Sequence, residues 1–370
     1  MSRADFVVSK RALGRIQRLC CLGLGGESIV PDLLREVRGL IPARTGMFRW
    51  ANSNLELSHI YTENMVHISE IYLKEFHNRR ELEVCRNFTQ VLKLEEPSPV
   101  LNFWEHSLKV DRSVQLRSDH YNIIMRPMEI DEILILRVRE NGRTFGALYL
   151  MRAPGEPLFS RRDRALLEMI AGFVAHAMTG AVLEEEGFAD GDDRGLLFLD
   201  DEGKLLYATE GAERLLAMML VWHQAPAADW NRMRHPTPEI EALCRSLVAT
   251  AKGEVGQPPP VLRRRTVWGE FVMRAYWVGP TDGSEATDRI GVTIERRVPL
   301  ALALQRRVEA MDLTGREKQL CVLLGRNPSR DDLAETMGLA RHTVITHQRN
   351  LYAKLGVHSR AELVAKLRPM

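Results

Sequence analysis

From Arg11 to Leu24 and from Pro31 to Leu40 the chain reads as two helices, and over Met47 to Asn52 polar and apolar residues begin to alternate, which predicts a strand. The sharpest local signal is Glu132-Ile-Leu-Ile-Leu-Arg-Val-Arg-Glu140, then Asn141-Gly142, then Arg143-Thr-Phe-Gly-Ala-Leu-Tyr-Leu-Met151. Asn-Gly between two alternating apolar runs suits a type I′ turn, whose two central residues both need φ > 0, so this segment is predicted as a β-hairpin. Ser160 and Asp163 then stand at capping-box spacing. They precede apolar positions at Leu166, Leu167, Ile170, Phe173, Val174 and Met178, which predicts a helix from about 161 to 183.

The glycines and aspartates of Gly187-Phe-Ala-Asp-Gly-Asp-Asp-Arg-Gly195 mark a boundary. After it, Leu196-Leu-Phe-Leu-Asp-Asp-Glu-Gly-Lys-Leu-Leu-Tyr-Ala208 predicts two short strands joined by an Asp-Glu-Gly turn, followed by a helix over Glu210 to Leu220. Alternation over Val267 to Val278 and Ile290 to Ile294 supplies further strands, Ala225 to Pro238 has no assignable pattern, and Gln257-Pro-Pro-Pro260 is a loop. Arg263-Arg264-Arg265 reads as an exposed edge or loop charge run in preference to a nucleic-acid contact. From Pro299 to Asp312, Leu300, Leu302, Leu304 and Val308 predict a connector helix.

The last segment can be built from caps. Thr314 and Glu317 form a capping box ahead of Leu320, Leu323 and Leu324, and Asn327-Pro328 ends that helix. A second helix, Arg330 to Met337, buries Leu333, Ala334 and Met337. Gly338 makes a tight turn, and a third helix runs from Arg341 to Leu355, stopped by Gly356 and Val357. Ser359 and Glu362 open a fourth carrying Leu363, Val364 and Leu367. Four short helices with a glycine turn between the second and third are a helix-turn-helix arrangement.

Charge sharpens this division. From Leu313 onward there are ten Lys or Arg against five Asp or Glu, whereas the whole chain of 370 residues has 51 against 49, so the terminal segment is +5 and the remainder about −3. A basic module on a mildly acidic body is the layout expected when only the terminus meets nucleic acid. At 42.2 kDa the chain is long enough for two or three domains. No apolar run approaches a membrane span or a signal-peptide core, so a cytoplasmic location is expected. Cys20, Cys21, Cys85, Cys244 and Cys321 are odd in number and lack C-x-x-C spacing. They read as buried small hydrophobes, with no metal expected.

The hairpin and Phe159-Ser160 helix over residues 20 to 183 resemble a GAF domain, which implies helices flanking a six-stranded antiparallel sheet. The opening of the next segment resembles a PAS domain. Leu313-Thr-Gly-Arg-Glu317, Leu333-Ala334-Glu-Thr-Met-Gly338, Thr343-Val344 with His347, and Tyr352-Ala-Lys354-Leu355-Gly356-Val357-His-Ser359-Arg360-Ala-Glu-Leu363 resemble the LuxR-type helix-turn-helix over about residues 313 to 367. The expected fold is therefore α+β: a GAF-like domain at 10–183, a PAS-like domain at 195–298, a connector helix at 299–312 and a four-helix DNA-binding domain at 313–370.

A helix fits the major groove, where base edges differ in donor and acceptor pattern, and only its outward face can read them. With Val344, His347, Leu351 and Leu355 turned inward, that face falls on His342, Ile345, Thr346 and Arg349. By position Ile345, Thr346 and Arg349 match the family's groove-contacting residues. Lys354, Arg341 and Arg330 suit phosphates, which set affinity and register without specifying sequence. The chain departs from the family pattern at Ile345, where Lys is usual, and at Ala340, where a Ser cap is usual.

The resemblance implies a one-component bacterial transcription regulator acting as a homodimer on double-stranded DNA, with pairing through the last helix, no membrane contact, and RNA polymerase as a candidate partner. A sensor cofactor or small-molecule ligand stays unidentified. Trp50, His59, Tyr61, Trp104, His120, Tyr121 and Arg126 are candidates to line a pocket, against a plain-core alternative. His347 reads as a core histidine and His235-Pro236 as a loop. No G-x-S-x-G, Walker A, dinucleotide-binding or H-E-x-x-H motif occurs, so no enzyme is expected. The rival class is an adapter or antagonist that uses the four-helix domain to pair with a true regulator.

Overall fold

In the computed structural model, residues 3–63, 68, 71–180, 187–200, 203–220, 238–252, 259–278, 289–326 and 330–367 are described. Helices α1 (Arg3–Cys20) and α2 (Gly26–Leu40) lead into strands β1 (Thr45–Ala51), β2 (Leu57–Thr62) and β3 (Val100–Asn102). The hairpin β4 (Glu132–Glu140) and β5 (Arg143–Arg152) and helix α3 (Arg161–Thr179) follow. The strands form an antiparallel sheet in the order β2-β1-β5-β4-β3, and α1, α2 and α3 pack on one another and on β1 and β4.

The local chemistry acts as expected at both signals. Asn141 and Gly142 take φ of 48° and 78° at the hairpin turn. The Ser160 hydroxyl accepts from Asp163 N at 3.2 Å while the Asp163 carboxylate accepts from Ser160 N at 2.8 Å.

The sheet has five strands among the described residues, where the GAF resemblance implied six. Between β3 and β4 the chain instead makes short helical turns at Phe103–Ser107, Arg112–Gln115 and His120–Met125. The Asn102 side chain starts this departure by accepting from Trp104 N and Glu105 N at 2.9 and 3.3 Å, which turns the backbone out of the ladder.

A second five-stranded antiparallel sheet comprises β6 (Phe188–Leu199), β7 (Leu205–Ala208), β8 (Val261–Thr266), β9 (Gly269–Val278) and β10 (Arg289–Pro299), in the order β7-β6-β10-β9-β8. Helices α4 (Glu210–Leu220) and α5 (Pro238–Ala251) accompany it. Its order, second-first-fifth-fourth-third, repeats that of the first sheet.

The glycine and aspartate stretch read as a boundary is the first half of β6, with Ala189 opposite Val298 and Gly195 opposite Ile294. Its glycines admit close neighbours, since a Cβ on Gly195 would lie 2.4 Å from Ala212 Cα. Its acids are neutralised, Asp190 by Arg297 at 3.0 Å and Asp193 by Arg296 at 3.2 Å. Arg263, Arg264 and Arg265 lie on the edge strand β8. Arg264 pairs with Glu239 at 2.7 Å, and the other two approach Glu270 at 3.5 and 3.4 Å.

The sheets share one packed seam. Trp268 is fully buried, its ring 5.3 Å from Trp50, 6.1 Å from His59 and 5.7 Å from Tyr61. Buried Arg296 donates to Trp268 O at 2.7 Å and to Ser28 O at 2.9 Å, while Ser28 Oγ donates to Val267 O at 2.8 Å.

The expected connector is α6 (Leu300–Glu309), and it is part of the core: Ala301, Leu302, Leu304 and Val308 are buried, and Arg306 grips Asp32 of α2 at 2.7 and 2.8 Å. It offers no free apolar face for self-association. Four cysteines are buried as expected, but Cys21 is exposed. Most of Ala225–Pro238, His235-Pro236, Gln257-Pro258 and Asn327-Pro328 lie outside the described residues. Among the described residues no helix is long and apolar enough to cross a membrane.

Candidate functional site

Four helices close the chain: α7 (Gly315–Gly325), α8 (Arg330–Met337), α9 (Arg341–Leu355) and α10 (Arg360–Leu367). Thr314 Oγ1 accepts from Glu317 N at 3.3 Å, and the Glu317 carboxylate accepts from Thr314 N at 2.6 Å. Between α8 and α9 the chain turns at Gly338 with φ of 61°. Gly356 ends α9 in the left-handed region at φ 63°, and Val357 N donates back to Tyr352 O at 3.0 Å. Glu362 N donates to Ser359 Oγ at 3.2 Å, but the Glu362 carboxylate reaches one residue further than a standard box, to His358 N at 2.9 Å.

Helix α9 divides into two faces. Val344 and Leu351 are buried, Gln348, Tyr352 and Leu355 are half-buried, and Gln348 Nε2 donates to the Tyr352 hydroxyl at 2.9 Å. His342, Ile345, Thr346 and Arg349 are all exposed, Ile345 at 43%. Thr346 Oγ1 donates to His342 O at 3.1 Å, and Arg349 makes no ion pair among the described residues. His347 is exposed, which corrects its reading as a core histidine. The inward positions follow 344, 348, 351 and 355, so the polar Gln348 takes the place assigned to it.

Among the expected phosphate contacts, exposed Arg341 opens α9 and the Arg330 side chain lies outside the described residues. Lys354 Nζ is 3.1 Å from Glu317 Oε2, tying the end of α9 to the start of α7. Hydrogen bonding from Thr314 N, with help from Lys354, holds the Glu317 carboxyl below its ordinary range. Ala340 occupies the N-cap of α9 with extended φ and ψ of −70° and 148° and supplies no cap, as its side chain dictates. On α10, through which the family resemblance implies pairing, Leu363 and Leu367 are fully buried and so not available to a partner; Val364 is half-buried.

A second site lies in the first sheet. A cavity of about 80 Å³ is walled by Met47, Arg49, Tyr149 and Met151 from β1 and β5, by Phe88 and Phe103, and by a polar end made of Tyr72, Glu81, Cys85 and His120. Arg49 sits between the rings of Tyr72 and Tyr149, 4.7 and 4.9 Å from their centroids. Glu81 accepts from the Tyr72 hydroxyl at 2.6 Å and from Asn78 N at 2.8 Å. Burial pushes the Glu81 carboxyl up, but its bonds from His77, Tyr72 and Asn78 and the charge of Arg49 outweigh this and hold it below its ordinary range. Burial also pushes His120 down to about 4 and, with Glu81 adding to it, Cys85 up to about 12.

Of the seven pocket candidates only His120 reaches this cavity. Trp50, His59 and Tyr61 pack on Trp268, Trp104 Nε1 donates to Asp131 O at 2.6 Å, Tyr121 is half-buried, and Arg126 is exposed. Glu81 and Cys85, at i, i+4 spacing in the sequence, reach the cavity without being among those candidates.

Comparisons with known proteins bear on both sites. Residues 311–367 match the family model "Bacterial regulatory proteins, luxR family", and residues 26–178 match that of the GAF domain. Comparison with curated proteins gives no match. Among solved structures, the E. coli DhaR(N)-DhaL complex is 10% identical, covering 80% of this chain and 90% of that one, with a TM-score of 0.18. The sensor region of a sensor histidine kinase is 12% identical, covering 80% and 92%, with a TM-score of 0.17. Scores so low carry no argument about either domain. The assignment rests on the two family models and on the elements that coincide with them: the chain carries a GAF domain followed by a helix-turn-helix domain of the LuxR family of bacterial regulatory proteins.

Proposed function

We propose that the protein is a one-component, sequence-specific transcription regulator in which the two-sheet amino-terminal region controls the carboxy-terminal domain. The LuxR-family and GAF domains support a DNA-binding transcription regulator in general. The finer reading is carried by α9, whose outward residues His342, Ile345, Thr346 and Arg349 are all exposed while α7 packs on α6. Under this reading Arg349 and Thr346 contact base edges and Ile345 packs against thymine methyls. Arg341, Arg330 and Lys354 hold phosphates.

One helix reads too few base pairs for a genome of competing sites, so the reading includes a homodimer on half-sites roughly 34 Å apart. With Leu363 and Leu367 committed to the core, pairing through α10 falls to Val364 and its exposed neighbours Ala361 and Ala365. Mapping of bound DNA in cells followed by gel shifts over a range of salt tests the proposal. A preferred sequence bound far more tightly than random DNA supports it. Failure to shift any mapped promoter, together with stable pairing to another regulator, would establish the adapter alternative.

A further inference from the structure

Glu81, Cys85 and His120 are all buried, and one potential ligand atom from each lies within 4.8 Å of the other two. Glu81 and Cys85 share one stretch of backbone, with Cys85 N donating to Glu81 O at 2.8 Å, and His120 comes from a segment some 35 residues on. Glu81 sits in the turn Arg80–Glu83, Cys85 is bridged to Leu108, and His120 opens the helical segment His120–Met125. We propose that these three side chains form a binding site for a divalent transition metal of the zinc and iron class, with one coordination position open to the cavity.

The donor set argues for the metal. Thiolate and imidazole together favour zinc, iron or copper over magnesium and calcium, which take all-oxygen shells. Metal–ligand bonds of about 2.0–2.3 Å put neighbouring donors roughly 3–4 Å apart, so atoms already within 4.8 Å close on an ion by small side-chain adjustments.

Two of the three donors are also steadied by groups behind them, as ligands of built sites are. Tyr72 and Asn78 hold the Glu81 carboxylate, and the Gln115 carboxamide lies 2.8 Å from His120 Nδ1.

Size argues against the larger ligands a sensor domain could take. A cavity of about 80 Å³ is smaller than one of roughly 150 Å³ that takes up benzene, so it is too small as it stands for a nucleotide or tetrapyrrole. An ion and one or two small exogenous ligands fit. Protein interiors are close-packed, and a void with a carboxylate, a thiol and an imidazole at one end calls for an occupant. On binding, the Cys85 S–H bond breaks, the sulfur–metal bond forms and the proton leaves to solvent, with no change of oxidation state.

The test uses the full-length chain, stripped with a chelator and titrated anaerobically with Co²⁺ as a spectroscopic probe. One bound Co²⁺ with a thiolate-to-metal charge-transfer band, displaced by Zn²⁺ and unaffected by Mg²⁺, is expected. Cys85→Ser should abolish the band and weaken Co²⁺ binding roughly 100-fold or more, whereas Cys21→Ser, at the exposed thiol, should leave both unchanged. His120→Asn and Glu81→Gln should each weaken binding at least tenfold while keeping the band, which covers the case in which Cys85→Ser fails to fold. Absence of the band in the wild type would overturn the site. So would its loss in Cys21→Ser, or its survival at full affinity in Cys85→Ser: the cavity would then hold water alone. These readouts do not involve DNA, so the site can fail while the regulator reading stands, or the reverse.

Discussion

The Arg18 guanidinium on α1 grips the Glu309 carboxylate at the end of α6 through two hydrogen bonds, of 2.7 and 2.8 Å. Lys318 of α7 reaches the same residue, 2.9 Å from its carbonyl and 3.1 Å from its carboxylate. One acid thus joins the first helix of the chain, the last helix before the DNA-binding domain and the first helix within it. Arg326 adds a bond from the end of α7 to Leu22 O at 3.2 Å. Glu309→Ala leaves two partly buried cations without their shared carboxylate. Because charged hydrogen bonds of this kind are each worth about 1.5–3 kcal/mol, it should lower stability by about 2–3 kcal/mol in urea unfolding. It should also speed limited proteolysis between α6 and α7. Unchanged proteolysis would show that this joint does not restrain the domain.

Acid should loosen the same region. Burial pushes the Glu309 carboxyl up, but Arg18 and Lys318 outweigh it and hold it below its ordinary range; Asp193, likewise buried, is held down by Arg296, Arg214 and Arg306. A carboxyl with a depressed folded pKa contributes stability that is fully present above its unfolded pKa and is lost as pH falls through the folded one. The melting temperature should therefore drop steadily below about pH 4.5, and Glu309→Gln should show a shallower drop from a lower starting point. Parallel curves for the two proteins would remove Glu309 from the account.

Arg349→Ala should weaken binding to the mapped operator more than to random DNA, by roughly 1 to 3 kcal/mol of discrimination. Lys354→Ala should weaken both alike and flatten the salt dependence, less so to the extent that Lys354 stays paired with Glu317. Competition gel shifts at two salt concentrations separate the outcomes, and equal losses on both DNAs for Arg349→Ala would assign it to phosphate.

Ala340→Ser should raise the stability of the full chain's last domain by about 1 kcal/mol, because Ala340 already has the extended conformation of an N-cap and lacks only the accepting oxygen. Differential scanning calorimetry checks this, and a lowered transition would mean that the hydroxyl cannot reach the first turn of α9.

Leu363→Ala and Val364→Glu should fail in different ways. Leu363 is fully buried, so its truncation should cost about 2–5 kcal/mol and unfold the domain at lower temperature whatever the protein concentration. Val364 is half-buried, so Val364→Glu should leave the melting curve nearly intact and reduce operator binding cooperatively if α10 is the pairing surface. Sedimentation of Val364→Glu at the same dimer fraction as wild type would move the interface elsewhere.

Much of this molecule was readable from its residues because the decisive interactions are short in sequence. The hairpin turn at Asn141-Gly142, the boxes at Ser160 and Thr314, and the left-handed stop at Gly356 each involve residues five or fewer apart, so chain order alone sets which groups can meet. The same locality exposed His342, Ile345, Thr346 and Arg349 as one face.

Tertiary structure decided the rest, wherever the partner lies far along the chain. Gly187 to Gly195 looks like a linker until Arg296 and Arg297, a hundred residues on, neutralise its aspartates and β10 pairs with its backbone. His347 lies at helical spacing from Val344 and Leu351 and so reads as inward, while packing turns Gln348 inward instead. Helix α6 reads as a connector because its periodic apolar face does not say what covers it; α1, α2, β6 and α7 do. Glu81 and Cys85 meet His120 only once the segments carrying them close over one face of a sheet. Burial of apolar surface drives that closure without regard to sequence separation, so the i, i+4 spacing of Glu81 and Cys85 says nothing of His120.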